Sequence, residues 1–225
     1  MSAFHTYRPG LVPYATGLAL QERFLVQRRP DDTDLLILLR HPAVVTLGRR
    51  SGADSLRLPS EQLLQRFNIE TFHVGRGGET TFHGPDQLVG YPLVDLNSLG
   101  RDLHRFVFLL EQTLLDTLLS FGVEGERIKG RTGVWVKGEK IASIGIGVRH
   151  WISWHGFGLN VGSGLEGFQH IVPCGMPDVS MTSLAHQLQQ DVSMPEVEEK
   201  VIAHFGRNFD TRYLGEYAPS WTTQT

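Results

Sequence analysis

Cys174 is the only cysteine in the 225 residues, and it stands in Ile171-Val172-Pro173-Cys174-Gly175-Met176-Pro177. Two prolines and a glycine around a thiol describe a sharp turn, not a repetitive core segment. Such a turn can expose the sulfur as a nucleophile and aim backbone N–H groups at an oxyanion. A small buried hydrophobe is the ordinary role of a single cysteine, and local spacing leaves both readings open. A second segment, Arg76-Gly77-Gly78-Glu79-Thr80-Thr81-Phe82-His83-Gly84-Pro85, has neither the spacing of a dinucleotide fingerprint nor a Walker lysine. Its glycine pair, with Arg and His within a few residues, suits a carbonyl or phosphate lying against the backbone. A plain structural connection is the alternative.

Lys140 opens a third segment, Lys140-Ile141-Ala142-Ser143-Ile144-Gly145-Ile146. Strict alternation puts it on one face with Ala142, Ile144, Ile146 and Val148. A lysine at a hairpin end commonly reaches solvent; were this face turned inward, burial would favour the neutral amine. The opposite face carries Ser143, Gly145 and Gly147, which have almost no bulk, so something must lie against it. His155-Gly156-Phe157-Gly158-Leu159-Asn160 offers a His and an Asn to accompany a cysteine, and His170 with Cys174 offers two metal ligands. Both signals are weak, because ten histidines guarantee chance neighbours and two ligands do not make a zinc site. No metal or cofactor is expected.

The elements that must position these residues follow from hydrophobic period. Helices are predicted over Tyr14–Gln27, from Ser60 as N-cap to Phe67, and over Leu103–Phe121, where Leu103, Phe106, Val107, Leu110, Leu114 and Leu118 line one face. Further helices are predicted over Ser180–Gln189 and Pro195–Phe209. Strands are predicted at Leu35–Leu39, Val44–Leu47, Ile69–Val74, Leu88–Leu96, Val134–Val136, Ile141–Val148 and Trp151–Val161. Pro92 places the fourth of these near an edge or a bulge. Lys137-Gly138-Glu139-Lys140 reads as a hairpin turn. The expected fold is a single α/β (α+β) domain over 1–225, a mixed β-sheet packed with helices, with a core at about 8–210 and a disordered tail at 219–225.

Composition narrows the function classes. The 21 basic and 24 acidic residues give −3, without the basic excess of a dedicated nucleic-acid binder. The longest aliphatic run, Leu35–Leu39, is far short of the ~20 residues that cross a bilayer. One cysteine permits no internal disulfide and suits a reducing compartment. A cytoplasmic protein bound to neither nucleic acid nor membrane is expected.

Together the segments resemble the lipoyl(octanoyl) transferases, which pass an octanoyl group from acyl carrier protein to lipoyl domains. The resemblance is carried by Arg76-Gly77-Gly78-x-x-Thr81-Phe82-His83-Gly84-Pro85-x-Gln87-Leu88-Val89-Gly90-Tyr91-Pro92, Thr132-Gly133-Val134-Trp135-Val136, Lys140-Ile141-Ala142-Ser143-Ile144-Gly145, His155-Gly156-x-x-Leu159-Asn160, Ile171-Val172-Pro173-Cys174-Gly175 and Thr182-Ser183-Leu184. It implies a fold like the catalytic domain of biotin and lipoate protein ligases. It also implies an acyl-thioester at Cys174, with Lys140 as its partner. The acyl site would comprise Arg76, Gly77, Gly78, Glu79, Thr80, Thr81, Phe82 and His83, then Ser143, Ile144 and Gly145, then Gly156, Phe157 and Gly158. Implied acceptors are the lipoyl domains of 2-oxoacid dehydrogenase complexes and the glycine cleavage H protein. Glu79, Thr80, Phe82 and Asp86 depart from the family's usual residues, and Asp86 adds a charge beside the loop.

An acidic carrier needs a basic landing surface. The stretch 127–140 holds Arg127, Lys129, Arg131, Lys137 and Lys140 against Glu139 alone, and Arg49-Arg50 is a second candidate. Two other functions fit parts of the pattern: an ATP-dependent lipoate or biotin ligase, and a non-catalytic module that binds acyl groups or lipoyl domains.

Overall fold

The structure, a computed structural model, describes residues 2–29, 32–176 and 178–217, with Cys174 described in its backbone alone. Pro177 and the tail at 219–225 lie outside the described residues. In chain order the elements are β1 (Ser2–Leu11), α1 (Tyr14–Gln27), β2 (Asp34–Arg40), β3 (Val44–Leu47), α2 (Ser60–Phe67), β4 (Glu70–His73), β5 (Thr80–His83), β6 (Gln87–Leu93), α3 (Leu103–Leu119), β7 (Glu126–Ile128), β8 (Arg131–Val136), β9 (Glu139–Arg149), β10 (Ile152–Asn160), α4 (Leu184–Leu188), α5 (Met194–Asn208) and β11 (Thr211–Glu216). A 3-10 turn at Pro173–Gly175 holds Cys174. Among the described residues no helix is long and apolar enough to cross a membrane.

An eight-stranded sheet runs β11-β1-β2-β6-β10-β9-β8-β7, and a three-stranded sheet runs β4-β3-β5. Strand β2 explains the layering. Its run Leu35 to Leu39 is buried on both faces, as a continuous apolar strand should be. Leu36 and Leu38 join the core under α3 and α5, with Phe106, Leu110, Val201 and Phe205. Leu35, Ile37 and Leu39 face the other way, against Leu20, Phe24 and Leu25 of α1. The small sheet has a core of its own, where Val45 and Leu63 meet Phe82 and Phe168. The expected mixed sheet packed with helices is the fold observed.

Four strands, β1, β5, β7 and β11, escape the sequence pattern. Along β1 only Phe4 and Thr6 are buried, so half of its inward signal is a hydroxyl. The helix expected over Ser180–Gln189 contracts to α4, capped by Ser183, whose Oγ accepts from the His186 N–H at 3.2 Å. Residues Ser180 to Thr182 instead run alongside Lys140, whose N–H donates to the Ser180 carbonyl at 2.8 Å and whose carbonyl accepts from Thr182 at 3.0 Å.

Pro92 is not at an edge, since β6 lies in the middle of the sheet between β2 and β10. The β6–β10 ladder covers Gln87 to Gly90 only. Continuing its register would bring Pro92, which has no N–H, opposite His155. There the ladder lapses, and Ser153 bridges the gap by donating from Oγ to the Pro92 carbonyl at 2.6 Å and accepting from the Val94 N–H at 3.0 Å. Just before the gap the strands press close. A Cβ on Gly90 would stand 2.2 Å from the Phe157 ring. Gly90→Ala is therefore expected to destabilise the fold by about 1–3 kcal/mol through overpacking, and Phe157→Leu in the same chain to recover part of the loss. Urea midpoints check this, and an unchanged midpoint for Gly90→Ala would contradict the packing described.

Candidate active site

Lys140 is 1% exposed, among the largest fully buried side chains of the protein. Alternation alone would send it to the face of Ala142 and Ile144, under α3 and α5. The structure corrects that expectation. Between Val134↔Ala142 and Trp135↔Lys140 the register shifts, so β9 carries one residue more than β8 at this point. The extra residue lets both Ile141 and Ala142 enter the core beneath the helices. Lys140 is thereby turned to the face of its cross-strand neighbour Trp135, with its Nζ 5.3 Å from the indole centroid. The close approach of Gly133, where a Cβ would stand 2.8 Å from the Lys140 Cε, makes room for the lysine stem. Lys140 so shares a face with Ser143 and Gly145.

That face is covered as its lack of bulk requires. A Cβ on Gly145 would lie 2.9 Å from the Arg76 Cδ and from the Gly77 carbonyl, and one on Gly147 would lie 2.1 Å from the Trp154 indole nitrogen. The Gly77 N–H donates to the Ile146 carbonyl at 2.8 Å, pinning the glycine-rich loop to β9. Between loop and sheet lies a cavity lined by Arg76, Gly78, Glu79, Thr80, Thr81, His83, Ser143, Ile144, Gly145, Gly156, Phe157 and Gly158. Gly77 and Phe82 do not line it. Phe82 points into the core of the small sheet, edge-on to Phe168 at 5.4 Å, because β5 alternates and His83 takes the cavity side. Tyr14, Tyr91 and His155 complete the wall. Tyr91 stands near the end of the motif block that begins at Arg76, whereas Tyr14 comes from an element whose sequence reads only as helix, and no local signal marks it.

The cavity's polar groups are held in a fixed array. His83 Nδ1 donates to Gln87 Oε1 at 2.6 Å, Gln87 Nε2 donates to Asn160 Oδ1 at 2.8 Å, and Asn160 Nδ2 donates to the Thr182 carbonyl at 2.9 Å. Thr182 in turn bonds Lys140 through the backbone, so the array ties cavity and lysine strand together. His41 donates from Nδ1 to the Val12 carbonyl at 2.7 Å and accepts from the Tyr91 hydroxyl at 2.8 Å. Arg76 is braced by the Thr46 carbonyl at 2.9 Å and the Thr46 hydroxyl at 2.8 Å.

The Cys174 turn reaches this cavity through its backbone. Gly175 has φ 66°, in the left-handed region, and a Cβ there would strike the Glu79 carboxylate. The turn is anchored by Val172, whose N–H donates to the Ser55 carbonyl at 3.0 Å. The expected basic surface is thinner than its sequence suggests. Lys140 is buried, and Arg127 is paired with Glu111 at 3.0 Å and stacked over Phe108 at 4.0 Å. Lys129, Arg131 and Lys137 are exposed, as are Arg49 and Arg50. Asp86 bonds the following loop, its carboxylate accepting from the Gly164 N–H at 2.9 Å. His170 stacks on Phe67 at 4.1 Å.

Burial lowers the pKa of three histidines in and behind the cavity wall from the usual 6.5, to about 4 for His41, about 3 for His83 and about 3 for His155; His41 adds to the effect at His83 and Arg76 at His155. Unfolded, these rings take up protons below ~6.5, which the fold refuses. Their contribution to stability is therefore complete above the unfolded value and is lost as pH falls toward the folded ones. The urea midpoint is expected to drop between pH 7 and 5.5, above the carboxylate range. A flat profile in that window would show that the rings charge within the fold.

Comparison with known proteins gives the family and the fold. The family described as the lipoyl protein ligase A/B catalytic domain matches residues 13–206. An octanoyltransferase of Caldicellulosiruptor saccharolyticus is 44% identical over 206 residues, covering 90% of this chain and 87% of its own. One from Gloeobacter violaceus is 46% identical over 203 residues, covering 89% and 88%. A lipoate-protein ligase A solved with bound ATP matches the fold with a TM-score of 0.79 over 98% of this chain and 90% of its own, at 15% identity.

Proposed function

The chain belongs to the lipoyl protein ligase A/B catalytic domain family and, within it, to the octanoyltransferases, and we propose that it moves an octanoyl group from acyl carrier protein to a lipoyl-domain lysine through a thioester on Cys174. The observation that supports this most is the bulge that turns a fully buried lysine onto the cavity face, beside the segment that follows the cysteine turn.

In the first step the Cys174 thiolate attacks the thioester carbonyl, a new C–S bond forms, and the carrier's sulfur leaves as a thiol with the proton of the Lys140 ammonium, which leaves Lys140 neutral. An ammonium beside the thiol favours the thiolate, which is the role of Lys140 here. One thioester replaces another at nearly equal energy, so ATP has no part. In the second step the acceptor amine attacks octanoyl-Cys174, an amide forms, and the cysteine sulfur is released. A lysine of pKa ~10.4 is neutral in only roughly four molecules in ten thousand at pH 7. Its proton must therefore be taken, and Lys140 in its neutral form takes it. Acceptors are the lipoyl domains of 2-oxoacid dehydrogenase complexes and the glycine cleavage H protein. Arg49, Arg50, Lys129, Arg131 and Lys137 steer the acidic carrier toward the cavity. The protein works in the cytoplasm as one catalytic domain.

The ATP-dependent ligase is the alternative the fold permits, and it needs no cysteine. Intact-mass measurement after mixing with octanoyl carrier protein, without ATP, separates the readings. One octanoyl addition is expected, absent in Cys174→Ala and formed at least about a hundredfold more slowly in Lys140→Ala. Labelling that persists in Cys174→Ala, or that requires ATP, would overturn the mechanism. Arg49→Glu combined with Arg50→Glu should raise the KM for the carrier with little change in kcat; an unchanged KM removes that surface.

A further inference from the structure

His155 is 1% exposed, and neither of its ring nitrogens meets a hydrogen-bond partner. A buried polar side chain left unpaired is costly, and an apolar one would fill the same space without that cost. Its backbone lies at φ 56°, a conformation that a residue with a Cβ rarely adopts. Trp154 stacks against the ring with centroids 4.1 Å apart, and the His155 N–H donates to the buried Gln21 side chain at 2.7 Å. A strained, unpaired residue held this firmly marks a demand other than stability.

The register shows where that demand lies. His155 stands opposite Ile146, six residues farther along β9 than Lys140. The cavity-lined stretch between the lysine and the histidine, from Ser143 to Ile146, spans about 10 Å at about 3.3 Å per residue, the length of an extended eight-carbon chain. Between them run Ser143 and Gly145 on one strand and Gly158 and Gly156 on the other, all lining the cavity. The small residues leave a channel, and Tyr14, Tyr91 and His155 close its far end.

We infer that His155 is the end stop of this channel, the residue that limits the length of acyl chain the cavity accepts. The inference rests on the proposed reading that the reacting carbonyl sits at the Lys140 end. A chain that starts there runs past Ser143 and Gly145 toward the imidazole. Added methylenes can be housed only by moving the ring aside, and the ring is packed against Trp154 on a backbone that Gln21 holds in place. Nor do those methylenes gain apolar contacts, since the wall they would meet is two phenols and an unpaired imidazole.

The test is the rate of acyl-enzyme formation, followed by intact mass, with hexanoyl, octanoyl, decanoyl and dodecanoyl carrier protein. His155→Asn shortens the side chain while tolerating the left-handed backbone, and His155→Gly removes the side chain with no backbone penalty. In both, the decanoyl-to-octanoyl rate ratio is expected to rise at least about tenfold, with the hexanoyl-to-octanoyl ratio unaffected. A merely structural role would lower all four rates together. If the variants fold, as judged by circular dichroism, and keep the wild-type length profile, the end stop is wrong while the transferase reading stands. If the wild-type protein takes an acyl group from none of the donors, both fall.

Discussion

One surplus residue in β9 decides where the chemistry can be. A side chain of four methylenes and an amine is costly to bury, and regular pairing with β8 would place it among the leucines beneath α3 and α5. The register shift at Lys140 spends that residue on filling the core with both Ile141 and Ala142. The lysine is left on the side where the sheet is thin. Everything else in the site is fitted around this choice: Gly133 for the stem, Ser143 and Gly145 for the space beyond, and the extended Ser180–Thr182 segment that returns the chain from the cysteine turn to the lysine strand.

The cavity itself depends on a second irregularity. The sheet is continuous across β6 and β10 only as far as Gly90, after which proline on one strand and a left-handed histidine on the other interrupt it. A side-chain hydroxyl from Ser153 spans the interruption, and the backbone pairing resumes beyond it, where the Ser153 N–H donates to the Val94 carbonyl at 3.0 Å. A sheet interior thus acquires an enclosed depression, roofed by the glycine-rich loop, without either strand ending. Placing the small sheet over this depression brings the loop's Arg76 and the Cys174 turn to its rim.

Much of this plan is legible in the residues. The long helix α3, the continuous apolar strand β2 and the hairpin between β8 and β9 follow from period and from Lys137-Gly138, and the lining segments 76–83, 143–145 and 156–158 are visible as ordered motifs. What alternation cannot reveal is where alternation stops. The face of Lys140 is read from an unbroken period of two and the position of Pro92 from its missing N–H, and both turn on an interruption in the pairing with the neighbouring strand. Phe82 has the opposite history, since its motif neighbours line the cavity while the regular pleat of β5 carries it away. Tyr14 is a long-range contribution, assembled only when α1 packs across the sheet.

The bonds that run from His83 through Gln87 and Asn160 to the Thr182 carbonyl have one direction only. A backbone carbonyl can do nothing but accept, so it orients the Asn160 amide, which orients the Gln87 amide, which compels His83 to carry its hydrogen on Nδ1. The tautomer of a cavity imidazole is thus dictated from three links away. With a neutral ring, Nε2 offers a lone pair and no hydrogen. Negative charge that develops on a substrate oxygen must therefore find its donors among the other groups of the lining, and His83 is left to receive hydrogen, not to supply it.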